Sequence, residues 1–583
     1  MTLTNTGNNS SIVSFIWQVA DDILRDIYVK GKYRDVILPM VVLTRIDSEL
    51  IETKEKVLLE YEKFKERLTN IEPILQKATG YDFYNTSPFT LTSLLKDPVN
   101  LKTNFRQYLN GYSNNIQDIL QKFKFENQIQ TLEEADILFA LIQKFSDAIG
   151  FLSPNNLSNH DMWYVFEELI RKFNEENNEE AGEHFTPREV IRLMTNILFL
   201  PVSEQIKDRS LSIYDPCVGS GGMLSVAKDF IQWDESSIHG TGNIFTFGQE
   251  INPETYALCK ADMLLKGEKD NHVAFGSTLS NDWFTNDKFD FILTNPPYGK
   301  SRKTDQDKLA TGKKKEIFDP RFAVGTPRIN DGQLLFTLHM LSKMKHDTPL
   351  GTRIASVHNG SALFTWDAGG WESEIRKHII ENDYLEAIIA LPKDLFYNTG
   401  IGTYIWIMTN RKSKHKQGKM QLINATSDQF YSKMTKSLWS KRAELKPEHI
   451  NKIYKLFDAF EDSEFSKIFD NEDFGYIQVI IERPKCDESW NIISKKWKLE
   501  TDSDLRDKEN IPLKQDIQVY FEKEVLPFAP DAWISDKEQK VGYEINFNKY
   551  FYEYTPPRSL QDIAKDILKL DEETDGVLHD IIK

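Results

Sequence analysis

Apolar residues along the first third of the chain recur at helical spacing. Ile16, Val19, Ile23 and Ile27 mark one face of the segment over 14–28, and the run at 132–143 repeats the pattern, as amphipathic helices require. Pro and Gly are sparse here except around 80–100, which predicts a break at that point. The texture changes near residue 182. Short runs rich in β-branched and aromatic residues, at 211–214, 244–247, 289–293, 354–357, 385–391 and 404–408, now alternate with helical stretches. That alternation predicts an α/β fold whose mainly parallel sheet is covered on both faces. Ligands of such sheets sit beyond the carboxyl ends of the strands, where the strand order reverses. From about residue 412 the chain is charged and mixed, helical to roughly 470, then less regular, with a closing helix after Ser559.

Composition narrows this picture. A chain of 583 residues is too long for one core, so two to four domains are expected. The texture divides it into a helical N-terminal domain over 1–175, an α/β domain over 176–480 and a C-terminal region over 481–583. The three cysteines, Cys217, Cys259 and Cys486, are far apart and form no CxxC pair. That argues against a disulfide framework and a zinc site, so no metal is expected, and it suits a reducing cytoplasm. The N-terminus lacks a basic stretch followed by an apolar one, so no secretory signal is expected. No run approaches the roughly 18 apolar residues of a membrane span. The net charge of −17 is unfavourable for contacts with phosphates, which need Lys and Arg. A nucleic-acid enzyme of this charge needs either a local basic surface or a partner.

The candidate chemistry falls at predicted strand ends. The strand at 211–214 runs into Asp215, Pro216, Cys217, Val218, Gly219, Ser220, Gly221 and Gly222, followed by a helix-forming stretch. Glycines there permit a tight turn and the approach of a ligand to backbone and helix N-terminus. The spacing is neither GxGxxG nor a Walker loop. An acid at the strand tip suits a ligand carrying a positive amino group, such as the methionine part of a cofactor. The next strand ends in Glu250, whose carboxylate can accept two ribose hydroxyls, and Asn252 with Pro253 is placed to start a helix. Cys217 lies inside this turn and reads as a packing residue.

The run at 289–293 leads into Asn295, Pro296, Pro297 and Tyr298. An exocyclic amine on a base is a poor nucleophile because its lone pair is conjugated into the ring. The Asn295 side-chain oxygen and the Pro296 carbonyl can each accept one N–H, favouring a pyramidal nitrogen that faces a methyl donor. The two prolines fix the backbone and remove competing donors, and Tyr298 offers a stacking face. No covalent intermediate is needed; the work is positioning. An amine inside a duplex must be flipped out to reach such a pocket. A second stacking face is expected from Phe396, in preference to Tyr397, unless these rings belong to the core.

With these motifs in place, the sequence resembles the modification subunit of type I restriction–modification systems. The similarity covers most of the chain. Glu183, His184, Phe185, Thr186, Pro187 and Arg188 resemble the family's cofactor-binding segment. The turn through Asp215, Gly219, Ser220, Gly221 and Gly222, with Glu250, is similar to its glycine-rich and ribose-binding motifs. Asn295 to Tyr298 matches its catalytic tetrad, where phenylalanine is common in the aromatic slot. Segments at 331–336, 391–402, 542–546 and 554–558 are similar too. The sequence departs from related enzymes after Gly276, where an acid often contacts the cofactor's adenine. Two candidates stand in its place: Ser277, a weaker acceptor, and Asp262.

The resemblance implies a Rossmann-like S-adenosylmethionine-dependent methyltransferase domain between a helical N-terminal domain and a helical C-terminal tail. It implies methylation of adenine at the exocyclic 6-amino group in double-stranded DNA. It also implies assembly of two such subunits with one specificity subunit that reads the DNA, and with a restriction subunit in the full complex. A subunit that need not bind DNA alone can be net negative. Residues 300–328 nevertheless carry nine Lys or Arg against four Asp or Glu, with Lys313, Lys314 and Lys315 as candidate phosphate contacts, or an ordinary solvated loop. Leu560, Ile563, Ile567, Leu570, Thr574, Val577 and Ile581 follow a heptad that calls for a partner helix or packs on the chain's own body. The rival readings are methylation of protein glutamine or RNA, and a catalytically silent scaffold binding DNA or partners.

Overall fold

The computed structural model describes residues 6–177, 186–232, 238–311, 316–317, 319–397, 400–438, 441–486, 492–495, 498–536, 539–552, 559–566 and 569. The chain forms two compact units, Met1–Ile545 and Asn546–Lys583. Among the described residues no helix is long and apolar enough to cross a membrane.

Helices fill the chain up to residue 177, as the periodicity predicts. At their centre lies α1 (Arg34–Leu50), buried at every position from Val36 to Leu50. A helix that is wrapped on all sides must find partners for its polar residues. Arg45, with no exposed surface, donates to the carbonyls of Leu152 (2.7 Å) and Leu157 (2.8 Å) and to Asn159 Oδ1 (2.6 Å). It also pairs with Glu49 at 2.9 Å. Asn159 in turn donates to the Leu265 carbonyl at 2.8 Å, tying the helical part to the α/β part.

The principal sheet has nine strands: β1 (Leu211–Asp215), β2 (Ile244–Glu250), β3 (Val273–Phe275), β4 (Phe291–Thr294), β5 (Arg353–Asn359), β6 (Leu385–Ala390), β7 (Thr403–Thr409), β8 (Lys419–Asn424) and β9 (Ser466–Asp470). Their order is β9-β8-β6-β7-β5-β4-β1-β2-β3. From β5 to β3 all neighbours are parallel, while β7 runs antiparallel to both β5 and β6. The order reverses between β1 and β4, so the tips of these two strands flank a crevice. The burial of β4, β6 and all but the last residue of β5 explains why these strands read as continuous apolar runs.

Between β2 and β3 lies α2 (Pro253–Leu265), buried from Thr255 to Leu265. Ala257, Leu258, Ala261, Leu264 and Leu265 belong to the core of the N-terminal helices. Tyr256, Cys259 and Met263 belong to the core of the sheet. A helix with apolar residues on opposite sides is one with two neighbours.

The segment that reads as irregular after 470 contains a second sheet. Its central strand, Gly475–Glu482, pairs antiparallel with Asp507–Pro512, Trp533–Ile534 and Lys540–Tyr543. It is fastened to the helix Trp371–Glu381, where buried Arg376 donates to the Tyr543 carbonyl at 2.6 Å and Ser373 accepts from the Tyr543 amide at 3.0 Å. In the other unit, Ser559 caps the closing helix through the Asp562 amide at 3.1 Å. Leu560 and Ile563 on that helix are exposed; the remaining heptad positions lie outside the described residues.

Removing Arg45 strands the Glu49 charge and leaves two buried carbonyls unpaired. Arg45→Ala is expected to destabilise the protein by about 3–5 kcal/mol, read by chemical denaturation. A loss below about 1 kcal/mol, the scale of an exposed ion pair, contradicts this account.

Candidate active site

The crevice between β1 and β4 gathers most of the residues singled out from the sequence. Asp215, at the tip of β1, is 1 % exposed. Its Oδ1 accepts from the Thr294 hydroxyl at 2.7 Å and from the Cys217 amide at 2.9 Å. Burial, with Glu250 nearby, pushes the Asp215 carboxyl up to about 7. Thr294 is the last residue of β4 and immediately precedes Asn295, so the acid of the turn and the tetrad share one network.

The turn itself depends on two close approaches. Gly221 adopts φ +90°, and a Cβ there would lie 3.1 Å from Cys259 Sγ and 3.2 Å from Met263 Cε. A Cβ on Gly248 would lie 2.7 Å from a Val218 methyl, so only glycine lets the turn rest on β2. Glu250 then bridges the two segments. Its carboxylate accepts from the Gly219 amide at 2.8 Å and the Asn252 amide at 2.7 Å. Burial pushes its carboxyl above the usual range. Asn252 caps α2, accepting from the Glu254 amide (2.9 Å) and the Thr255 amide (3.2 Å), as its position before Pro253 predicts.

Asn295 projects into the same space. Its Nδ2 donates to Thr186 Oγ1 at 3.1 Å, which brings the segment preceding the helix Arg188–Phe199 against the tetrad. Its Oδ1 is buried and has no hydrogen-bond partner among the described residues. A buried acceptor left open is costly, on the order of 1–3 kcal/mol, and in a crevice it is a place prepared for a donor. Pro296 is buried, Pro297 exposed and Tyr298 half-buried; burial pushes the Tyr298 phenol up to about 12, so it stays neutral. Arg188 faces Glu167 at 3.5 Å, a carboxyl that burial pushes up to about 7. Glu183, His184 and Phe185 lie outside the described residues, as do Lys313, Lys314 and Lys315.

A cavity of about 410 Å³ opens here, lined among others by Glu250, Ile251, Ser277, Asn295, Pro297 and Asp305. That is the size of a nucleoside-type ligand site. Ser277 reaches it, whereas Asp262, a buried residue of α2, is ion-paired with Lys266 at 2.6 Å and does not line it. Phe396 does not line it either. It is 2 % exposed and packs in the core with Leu391 and Leu395, so the second stacking face expected there is corrected: both sides of its ring are taken by the fold. The aromatic on the cavity wall is Phe336.

Asp305, Arg321 and Gln249 belong to the surroundings of the site without a role assigned from the sequence. Asp305 lies on the short helix Lys303–Leu309 that follows the tetrad. Arg321 holds the loop after β3 by donating to the carbonyls of Thr278 (2.9 Å) and Leu279 (2.7 Å). Gln249 binds the Asn281 carbonyl at 2.7 Å. Gln333 joins Asp331 (2.7 Å) and Asn359 (2.8 Å), fixing the segment at 331–336 to the tip of β5.

The parallel sheet with its antiparallel β7, the glycine turn at the reversal of strand order and the tetrad beside it define a Rossmann-like methyltransferase. Residues 157–477 match the model of the N-6 DNA methylase family, and residues 12–145 that of the HsdM N-terminal domain. The type I restriction enzyme MjaIX methylase subunit of Methanocaldococcus jannaschii is 25% identical over 491 residues, 81% of either chain. The HindI methylase subunit of Haemophilus influenzae is 30% identical over 298 residues, 50% of this chain and 61% of that one. The crystal structure of a type I restriction–modification system methyltransferase subunit from Streptococcus thermophilus superposes with a TM-score of 0.59 at 23% identity, covering 80% of this chain and 96% of that chain. The chain belongs to the N-6 DNA methylase family, as an adenine-specific DNA methyltransferase of the type I restriction–modification modification subunits.

Asp215 makes a stability prediction. Its carboxyl titrates near 7 when folded and near its ordinary 3.8 when unfolded. The folded state therefore holds its proton more tightly, and stability from this position is lost as pH rises from about 4 to about 7. Asp215→Asn keeps the acceptor for Thr294 and Cys217 without the charge. It should exceed the wild type by on the order of 2–4 kcal/mol at pH 8, with the gap closing toward pH 4. Thermal unfolding across this range checks it; a difference independent of pH contradicts it.

Proposed function

We propose that the chain transfers a methyl group from S-adenosylmethionine to the 6-amino group of an adenine flipped out of double-stranded DNA. The open Oδ1 of Asn295 carries this reading. It is a buried acceptor on the wall of the crevice, one residue from the network that holds Asp215. An amino group has two N–H bonds to give. One goes to Asn295 Oδ1 and the other to the Pro296 carbonyl, which turns the nitrogen lone pair out of conjugation. Tyr298 stacks on the base, and Pro296 and Pro297 hold the backbone rigid.

The residues fit the cofactor. Asp215 receives the cationic amino group of its methionine part, and that charge draws the carboxyl back toward ionisation. Glu250 accepts the ribose hydroxyls, Gly219, Ser220, Gly221 and Gly222 allow close approach, and Ser277 lines the far end. Thr186, whose hydroxyl meets Asn295, leads into Pro187 and Arg188 on the tetrad's side of the site. When bound, the cofactor supplies an electrophilic methyl group on a sulfonium. The protein contributes alignment and exclusion of water, worth several kcal/mol in such displacements.

In this reading the helical domain over 1–175 and the C-terminal region from 481 flank a catalytic domain over 176–480. The protein works in the cytoplasm, two copies with one specificity subunit that selects the sequence, and with a restriction subunit in the full complex. The closing helix after Ser559 provides a partner contact. The basic loop over 300–328 meets phosphates once the partner has docked the duplex, which reconciles a net charge of −17 with DNA as substrate.

The test is label transfer from S-adenosylmethionine in the presence of the cognate specificity subunit. Asn295→Ala should lower transfer to DNA by roughly 100-fold or more, the cost of losing one charge-stabilising contact at a reacting centre, with assembly unchanged. Glu250→Ala should weaken S-adenosylhomocysteine binding by roughly 10- to 100-fold in calorimetry. Label in protein or RNA but not in DNA would overturn the choice of substrate. Full transfer by Asn295→Ala would overturn the mechanism.

A further inference from the structure

The cavity beside Glu250 has a second polar end. Ile251, directly after Glu250, lines it and is 61 % exposed. An isoleucine left that open on a cavity wall is a platform for a flat apolar ring. Beyond it, Ser277 and Ser280 both donate to the same oxygen of Asp305, Oδ1, at 2.6 and 2.7 Å. Two hydroxyls on one oxygen fix the carboxylate plane and orient it. The other oxygen, Oδ2, accepts no hydrogen bond from the described residues, and Asp305 lines the cavity. A nucleoside whose ribose sits on Glu250 and whose base lies on Ile251 therefore presents the edge of its base to an oriented carboxylate.

We propose that Asp305 is the residue that recognises the base of the cofactor, accepting a hydrogen bond from the 6-amino group of its adenine. Ser277 and Ser280 act as positioning residues for that carboxylate. This rests on the reading of the cavity as the S-adenosylmethionine site. The chemistry is selective: an amino group at position 6 donates to a carboxylate, whereas a 6-oxo group meets it with lone pairs facing lone pairs. The position of Asp305 in the chain adds a consequence. It stands ten residues after Asn295, on the helix Lys303–Leu309 at the start of the basic loop. A bound cofactor thus fastens the segment that leads from the tetrad to the phosphate contacts, and cofactor binding orders that segment before DNA arrives.

The experiment compares S-adenosylhomocysteine with its inosine counterpart, which carries oxygen in place of the 6-amino group, by calorimetry on the full chain. The wild type should prefer the adenine form by roughly 10- to 100-fold, the worth of one charge-assisted hydrogen bond. Asp305→Ala should lose that preference, weakening the adenine form and relieving the repulsion on the inosine form. Asp305→Asn, whose amide can donate to a 6-oxo group, should bind the inosine form more tightly than the wild type does. Hydrogen exchange gives an independent readout: amides over 303–309 should slow on adding S-adenosylhomocysteine to the wild type and not to Asp305→Ala. If Asp305→Ala binds with the wild-type ratio of the two ligands, Asp305 does not read the base, although the cofactor reading stands. If the wild type binds neither ligand, the cofactor reading itself falls and the inference falls with it.

Discussion

The burial of α2 on two sides is the constraint from which the site follows. One helix serves as a wall of two cores, giving Leu258, Leu264 and Leu265 to the N-terminal helices and Cys259 and Met263 to the sheet. Each such large apolar side chain contributes about 1.5–3 kcal/mol when it leaves water. The helix therefore cannot shift without loosening both cores. Its first turn is capped by Asn252, whose own amide is held by Glu250. The carboxylate facing the cavity is thus positioned by packing that extends well beyond it. The N-terminal helices add a direct brace, since Asp118 accepts from Tyr256 and Lys260 on α2, each at 2.9 Å. The helical region is in this sense part of the catalytic architecture.

Against that rigid frame, the crevice holds groups that folding alone does not favour. Asp215 is buried and titrates near neutrality, Glu250 is raised beside it, and Asn295 keeps an open acceptor. Each of these is a cost to folding and a contact for a ligand that brings a cation or a donor. Local cost at a functional site is tolerated when the surroundings over-determine the geometry, and here the doubly buried helix and the parallel strands do so. Glycine at 221 and 248 belongs to the same logic, removing side chains where the turn must lie against α2 and β2.

What could be read from the sequence was what is local. The strands at β4, β5, β6 and β7 announce themselves as apolar runs because nearly every position on both their faces is covered. The cap at Asn252 and the tetrad after β4 are contiguous signals that need no partner to be recognised. The base edge of the cavity was not legible, because Ser277 and Asp305 meet across 28 positions in a loop that sequence patterning does not constrain. Phe396 misled for a related reason: an aromatic after a strand reads alike whether its ring faces a crevice or a core, and only the packing of Leu391 and Leu395 decides. The small sheet after 470 escaped because Asp507–Pro512 is largely polar, Trp533–Ile534 is only two residues long, and Gly475–Glu482 finds Trp533–Ile534 and Lys540–Tyr543 more than fifty residues away.

The central claim is that Asn295 places the amino group of a DNA adenine for methyl transfer. The most direct measurement is genome-wide sequencing of modified bases in cells carrying the intact system or its Asn295→Ala form. The account predicts 6-methyladenine at one recurrent sequence in the first and its disappearance in the second, with the subunits still assembled. The same methylated adenines persisting in the Asn295→Ala cells, or a modified cytosine in their place, would contradict it.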